Sequence, residues 1–169
     1  MSNNTHGEYA EIFERARALA EVGSAPLSSG HLLLAILTGS GTAERTLALR
    51  GLTETRVRGA LRELDPEPAS VCPDVERRAQ QVAATFGARE ASSLHLLAAL
   101  AAARDGHAHR ILRDAGLDTD VIRNQALRCL TTGFTRERGG PKDAARRAAP
   151  FAASGKDHSR GAARPAEQV

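Results

Sequence analysis

The sequence predicts an all-α protein: two tandem four-helix repeats packed with pseudo-twofold symmetry, followed by a disordered C-terminal tail. Three observations carry this. The stretch Ser28-Ser29-Gly30-His31-Leu32-Leu33-Leu34-Ala35-Ile36-Leu37 recurs 64 residues later as Ser92-Ser93-Leu94-His95-Leu96-Leu97-Ala98-Ala99-Leu100. Each copy is too apolar to leave a face for water, so each reads as the buried central helix of a small unit. The apolar content is mostly Leu and Ala, with four Phe, one Tyr and no Trp, which suits close-packed helices and not a sandwich or barrel. Glycines, prolines and hydroxyl residues cut each half into four short segments of helical period.

Residues 1–7 read as a polar leader, and no secretory signal is expected there. From Glu8, the positions Tyr9, Ile12, Phe13, Ala16, Leu19 and Ala20 recur at helical spacing. Gly23 stands where a helix end favours positive φ. After Pro26 comes the central helix, which is expected to stop near Thr38-Gly39. Thr42 is the expected cap of a short third helix carrying Ala43 and Leu47 and ended by Gly51. Thr53 is the expected cap of a fourth, with Val57, Leu61 and Leu64 on one side. The run Asp65-Pro66-Glu67-Pro68 forbids continuation, because proline removes a donor and clashes with the preceding turn.

The second half repeats the plan. Cys72-Pro73-Asp74 reads as a helix start, with proline in the first turn. Val75, Ala79, Val82, Ala83 and Phe86 make its apolar face, and Gly87 ends it. The second central helix follows, from about Ser93 to Ala103. Ala108, Ile111 and Leu112 mark a short helix ended by Gly116. Asp118 caps the last helix, with Val121, Ile122 and Cys129 as apolar positions, and Gly133 is its expected end. The organisation is therefore a domain at 8–133, with repeat one at 8–64, a linker at 65–72 and repeat two at 73–133. Each unit is too small to be secure alone, so the two should share one core.

The pI of 9.4 invites a nucleic-acid reading, so the charge must be located. Residues 1–133 hold 15 Arg against 16 Asp and Glu, a net of −1. Residues 134–169 hold eight Lys and Arg against four acids, a net of +4. The basicity belongs to the tail, which has little to bury and reads as disordered and solubilising. A helical DNA-binding regulator is the alternative reading, but a recognition helix needs a net basic face that the folded part does not supply. No apolar run approaches the roughly 20 residues of a membrane span. The reading is a cytoplasmic protein with reduced thiols, Cys72 and Cys129.

Sharper chemistry is absent from the pattern. His31 and His95 lack companion carboxylates or cysteines for a metal site, so they read as buried histidines bonded to backbone, fixing a helix crossing. Ser28, Ser29, Ser92 and Ser93 read as caps and not nucleophiles. No phosphate loop exists: Gly155-Lys156 is followed by Asp157. No cofactor is expected.

The doubled hydroxyl-x-His-Leu-Leu helix resembles the double repeat of the Clp N-terminal domain, which opens the AAA+ unfoldases ClpA and ClpC. The family's Gly-Thr-Glu-His followed by aliphatics appears here as Ser28-Ser29-Gly30-His31-Leu32-Leu33 and Ser92-Ser93-Leu94-His95-Leu96-Leu97. The family's Leu-Gly and capped last helix is echoed by Leu49-Arg50-Gly51-Leu52 and Asp114-Ala115-Gly116-Leu117. The resemblance covers Glu8 to Leu130 and implies a non-catalytic receptor for proteins: substrates, adaptors or the unfoldase itself. Without an ATPase module, it implies a stand-alone adaptor or decoy, or a fragment of a larger protein. In ClpC-type members the motif glutamate of each repeat recognises phosphoarginine. Gly30 and Leu94 stand at those positions, and neither side chain can pair with a guanidinium. The resemblance leaves Ser29, His31, Ser93 and His95 as structural residues of the repeat signature. Val71-Cys72-Pro73-Asp74-Val75 replaces the family's Phe-Thr-Pro-Arg-Ala, and the helix it starts is about one turn shorter than usual.

Overall fold

A computed structural model describes residues 5–138, with side chains described from 7 to 132. Among the described residues there are eight helices and no strand: α1 (Thr5–Val22), α2 (Ser29–Leu37), α3 (Thr42–Ala48), α4 (Glu54–Glu63), α5 (Val71–Thr85), α6 (Ser93–Ala102), α7 (His107–Asp114) and α8 (Thr119–Arg138). The two central helices are the core. Leu32, Leu33, Leu96, Leu97 and Leu100 are fully buried, each contributing about 1.5–3 kcal/mol of apolar burial.

The pairing of helices is reciprocal, as a pseudo-twofold requires. α2 packs on α1, α3 and α4 of its own repeat, and α6 packs on α5 and α7 of its own. Across the halves, α2 meets α7 while α3 meets α6, and α2 and α6 meet each other. Two arginines tie the outer helices in the same reciprocal sense. Arg50, just after α3, donates to Gln125 of α8, and Arg56 of α4 donates to the Asp114 carbonyl at the end of α7. The ends of α3 and α7 also match. Gly51 and Gly116 take φ of +78° and +77°, and the following leucine N–H groups bond back to Leu47 and Leu112.

Several ends differ from the sequence reading. α1 begins at Thr5, inside the expected leader. Thr42 is the first residue of α3, and the cap is Gly41. Thr53 and Asp118 do cap α4 and α8, accepting from Arg56 N and from Asp120 and Val121 N. Val121 is 43 % exposed, so only Ile122 of that pair faces the core. α8 continues through Gly133 to Arg138, because a single glycine costs a helix only about 1 kcal/mol. The first residues of the expected tail, 134–138, are drawn as the last turn of α8. The remainder of the expected tail lies outside the described residues.

The end of α1 carries a small conflict. Gly23 was the expected left-handed residue, but Ser24 takes that place with φ +50°, while Gly87 takes it at φ +68° after α5. A side chain in this conformation costs about 1 kcal/mol that glycine avoids. Ser24→Gly should therefore raise stability by about 0.5–1 kcal/mol, read as a higher midpoint in urea denaturation.

Candidate functional site

The motif helices begin in the same hydrogen-bonded box. The Ser28 N–H donates to His31 Nδ1 at 3.2 Å, and Ser28 Oγ lies 2.8 Å from the same nitrogen. The Ser92 N–H donates to His95 Nδ1 at 3.0 Å, and Ser92 Oγ lies 2.8 Å from it. Histidine at the third helical position thus does what Glu or Gln does in a capping box. An Nδ1 that accepts an N–H carries no proton, so both rings are the neutral Nε2–H form. The histidines secure the entry of their own helices, where the sequence reading had them fixing a crossing between helices. A Ser–His pair at this distance has the look of a nucleophile and its base. The single Nδ1 lone pair is shared with a backbone donor, however, and Ser28 is 3 % exposed, which leaves no approach for a substrate.

Burial first, then the nearby His107 ring, holds the His31 pKa below its ordinary range, against an opposing pull from Glu67. Burial lowers that of His95, whose Nε2 is enclosed without a partner and whose ring stands edge-on to Phe86 at 6.3 Å. The unfolded chain protonates its histidines near pH 6.5, before the folded one does. Stability from the two caps is therefore complete above that pH. It falls as pH drops below it, by at most about 1.4 kcal/mol per pH unit for each ring. Urea midpoints at pH 7.5 and 5.5 should differ in that direction, and His95→Gln, which keeps a capping group, should narrow the gap. Equal midpoints would contradict neutral capping rings.

Glu67, from the linker between Pro66 and Pro68, closes the structure where α2 meets α7. Its carboxylate accepts the Ser29 N–H at 2.6 Å and the Ser29 hydroxyl, both at the start of α2. The same oxygen that takes the hydroxyl accepts the His107 N–H at the start of α7. Ser29 Oγ in turn accepts the Ala108 N–H at 3.0 Å. One carboxylate and one hydroxyl thus satisfy donors at two helix starts from different repeats, where the helix dipoles also favour negative charge. Gly106 makes room for this: a Cβ there would stand 2.8 Å from Ser29 Oγ and 3.1 Å from the Ala103 carbonyl. Cys72 sits beside the clamp, its Sγ 3.7 Å from Glu67 Oε2. Burial, then the Glu67 charge and hydrogen bond, push its thiol up to about 12. The sequence reads residues 65–68 as a helix stop opening the 65–72 linker; the sole local sign of the clamp is an acidic residue held between two prolines.

The two positions that the resemblance assigns to phosphoarginine differ from each other. Gly30 lies under α4 and α7, and a Cβ there would stand 2.5 Å from Leu61 Cδ2, 3.1 Å from His107 Cβ and 3.2 Å from Ile111 Cδ1. No side chain fits in that space. Leu94 is half-buried and packs against the core. Neither position offers a carboxylate. Of the four signature residues, Ser29 is drawn into the clamp, His31 and His95 into the caps, and Ser93 into neither. His107 and His109 turn to different neighbours, the Asp65 and Ala101 carbonyls. Among the described residues no three metal-ligating side chains gather, and no helix is long and apolar enough to cross a membrane.

Residues 74–150 match the family model described as the Clp repeat (R) N-terminal domain. That segment begins in the first turns of α5 and takes in the whole of α6, α7 and α8. No curated protein gives a significant match to the chain.

Proposed function

We propose, from the match of residues 74–150 to the Clp repeat N-terminal domain, that the chain is a non-catalytic protein-binding module that acts in the cytoplasm as an adaptor or decoy in Clp-dependent proteolysis. Its partners are a Clp unfoldase, the substrates of that unfoldase, or its adaptors. One observation carries the reading. The polar side chains of the twin motif that lie in hydrogen-bond reach of one another are spent on holding helices: Ser28, His31, Ser92 and His95 in caps, Ser29 in the clamp. A duplicated helical body built this way offers surfaces, and its motif offers no assembled nucleophile, base and oxyanion donor. The loss of a carboxylate at positions 30 and 94 supports recognition of something other than the family's phosphoarginine.

The test is capture. Full-length chain, immobilised and exposed to lysate of its own source cells, should enrich a Clp unfoldase, its peptidase or their clients over a bait carrying a clamp-breaking substitution. Recovery of none of these, or turnover of a substrate by purified chain alone, would overturn the reading.

A further inference from the structure

The two repeats treat their second motif serine differently. Ser29 is saturated by Glu67 and the Ala108 N–H. Ser93 is its counterpart at the start of α6. It is 7 % exposed, and its hydroxyl has no hydrogen-bond partner among the described residues. It faces a recess of about 80 Å³ between α1, α2, the α2–α3 turn and α3. Gly41 stands where Gly106 stands in the other half, but more loosely: a Cβ there would be 4.0 Å from Ser93 Oγ and 3.6 Å from Glu8 Oε1. The hydroxyl and the carboxylate therefore look into the same space. No linker carboxylate lines it.

The walls decide the ligand. Glu8, Glu11 and Glu44 contribute three negative charges, against one from Arg15. The Arg15 guanidinium is itself turned to the Ala35 carbonyl, at 3.0 Å. A site of this charge repels carboxylates and phosphates and attracts a cation. The three glutamates do not converge closely enough to hold a metal ion. Separated acceptors around a small space suit a cation whose donors are spread in a plane, which is a guanidinium and not a compact ammonium.

We propose that this recess is a docking site for an arginine side chain of a protein partner, with Glu8 and Glu44 accepting from the guanidinium, Ser93 Oγ accepting a further N–H, and Glu11 adding charge at the rim. The assignment deepens the docking reading and rests on it for the source of the arginine. The residues involved are distinct from Gly30 and Leu94, and the arginine carries no phosphate.

The test is a titration of full-length, ¹⁵N-labelled chain with N-acetyl-arginine methylamide, followed at the amides of Gly39, Gly41 and Ser93. Saturable shifts at those amides are expected. They should weaken about fivefold for each charge removed in Glu8→Gln and Glu44→Gln, surface changes that leave the fold intact by circular dichroism. The citrulline analogue, of the same shape without charge, should give none. Absence of saturable shifts, or equal shifts from the citrulline or lysine analogue, would overturn the proposal. Its fate separates from that of the docking function. If wild-type chain and the double variant capture the same Clp components equally, the arginine site falls and the docking function stands. If the arginine probe binds as expected and no Clp component is captured, the docking function falls and the site stands.

Discussion

Gly30→Glu is expected to lower stability by about 3–5 kcal/mol and to create no phosphoarginine binding. The substitution restores the residue that the resembled family uses, so a reading from the motif alone would anticipate gained function. The packing says otherwise. Leu61 is half-buried and its Cδ2 can swing away from a new Cβ, but His107 Cβ, 3.1 Å off, is fixed to the backbone of α7. The added carboxylate would also be forced beside Glu67, which already carries the negative charge at this junction. A helix gains about 1 kcal/mol when glycine is replaced by a better former, which is too little to offset either cost. Leu94→Glu is the control. Leu94 is half-buried in the first turn of α6, where a carboxylate suits the helix dipole, so that change should cost only about 1–2 kcal/mol. Urea denaturation reads the stabilities and calorimetry with free phosphoarginine reads the binding. A Gly30→Glu protein as stable as wild type would contradict the closed junction.

Glu67→Ala should cost about 3 kcal/mol or more, the second large effect, from a residue on an otherwise unremarked linker. The loss leaves the Ser29 and His107 N–H groups without an acceptor at a partly buried junction, and bonds to a charged acceptor are worth about 1.5–3 kcal/mol each. Glu67→Gln keeps the shape and one acceptor oxygen, so about half the cost is expected. A second readout places the effect at the clamp itself. After burial, the Glu67 charge is the next largest cause that raises the Cys72 pKa and disfavours its thiolate. Alkylation of Cys72 under native conditions should therefore be faster in Glu67→Gln than in wild type, while that of Cys129 should not change. A stability loss without faster Cys72 labelling would mean that the carboxylate acts elsewhere.

These two positions also show what the sequence made legible. Both central helices could be read from composition, and most helix ends from a cap or a glycine: Thr53, Asp118, Gly51 and Gly116 each stand where local chemistry puts them. The misreadings were local as well. Ser24 accepts a conformation that Gly23 was better suited to, and Gly133 is carried inside α8. The clamp was invisible for a different reason. Glu67 finds Ser29 38 residues away and His107 40 residues away, and nothing in the linker encodes those partners. The crowding at Gly30 is equally long-range, since it arises from α4 and α7. What separates Ser29 from Ser93, one saturated and one facing an open recess, follows from the single linker lying on one side of a pseudo-symmetric pair.

The most direct measurement is degradation of a labelled substrate by a Clp unfoldase and peptidase from the same source, with and without a tenfold excess of this chain. A protein that docks Clp components or clients and does no chemistry should change the rate, upward as an adaptor or downward as a decoy, and Glu67→Ala should abolish that change while leaving basal degradation untouched. An unaltered rate with folded wild-type chain would contradict the docking role.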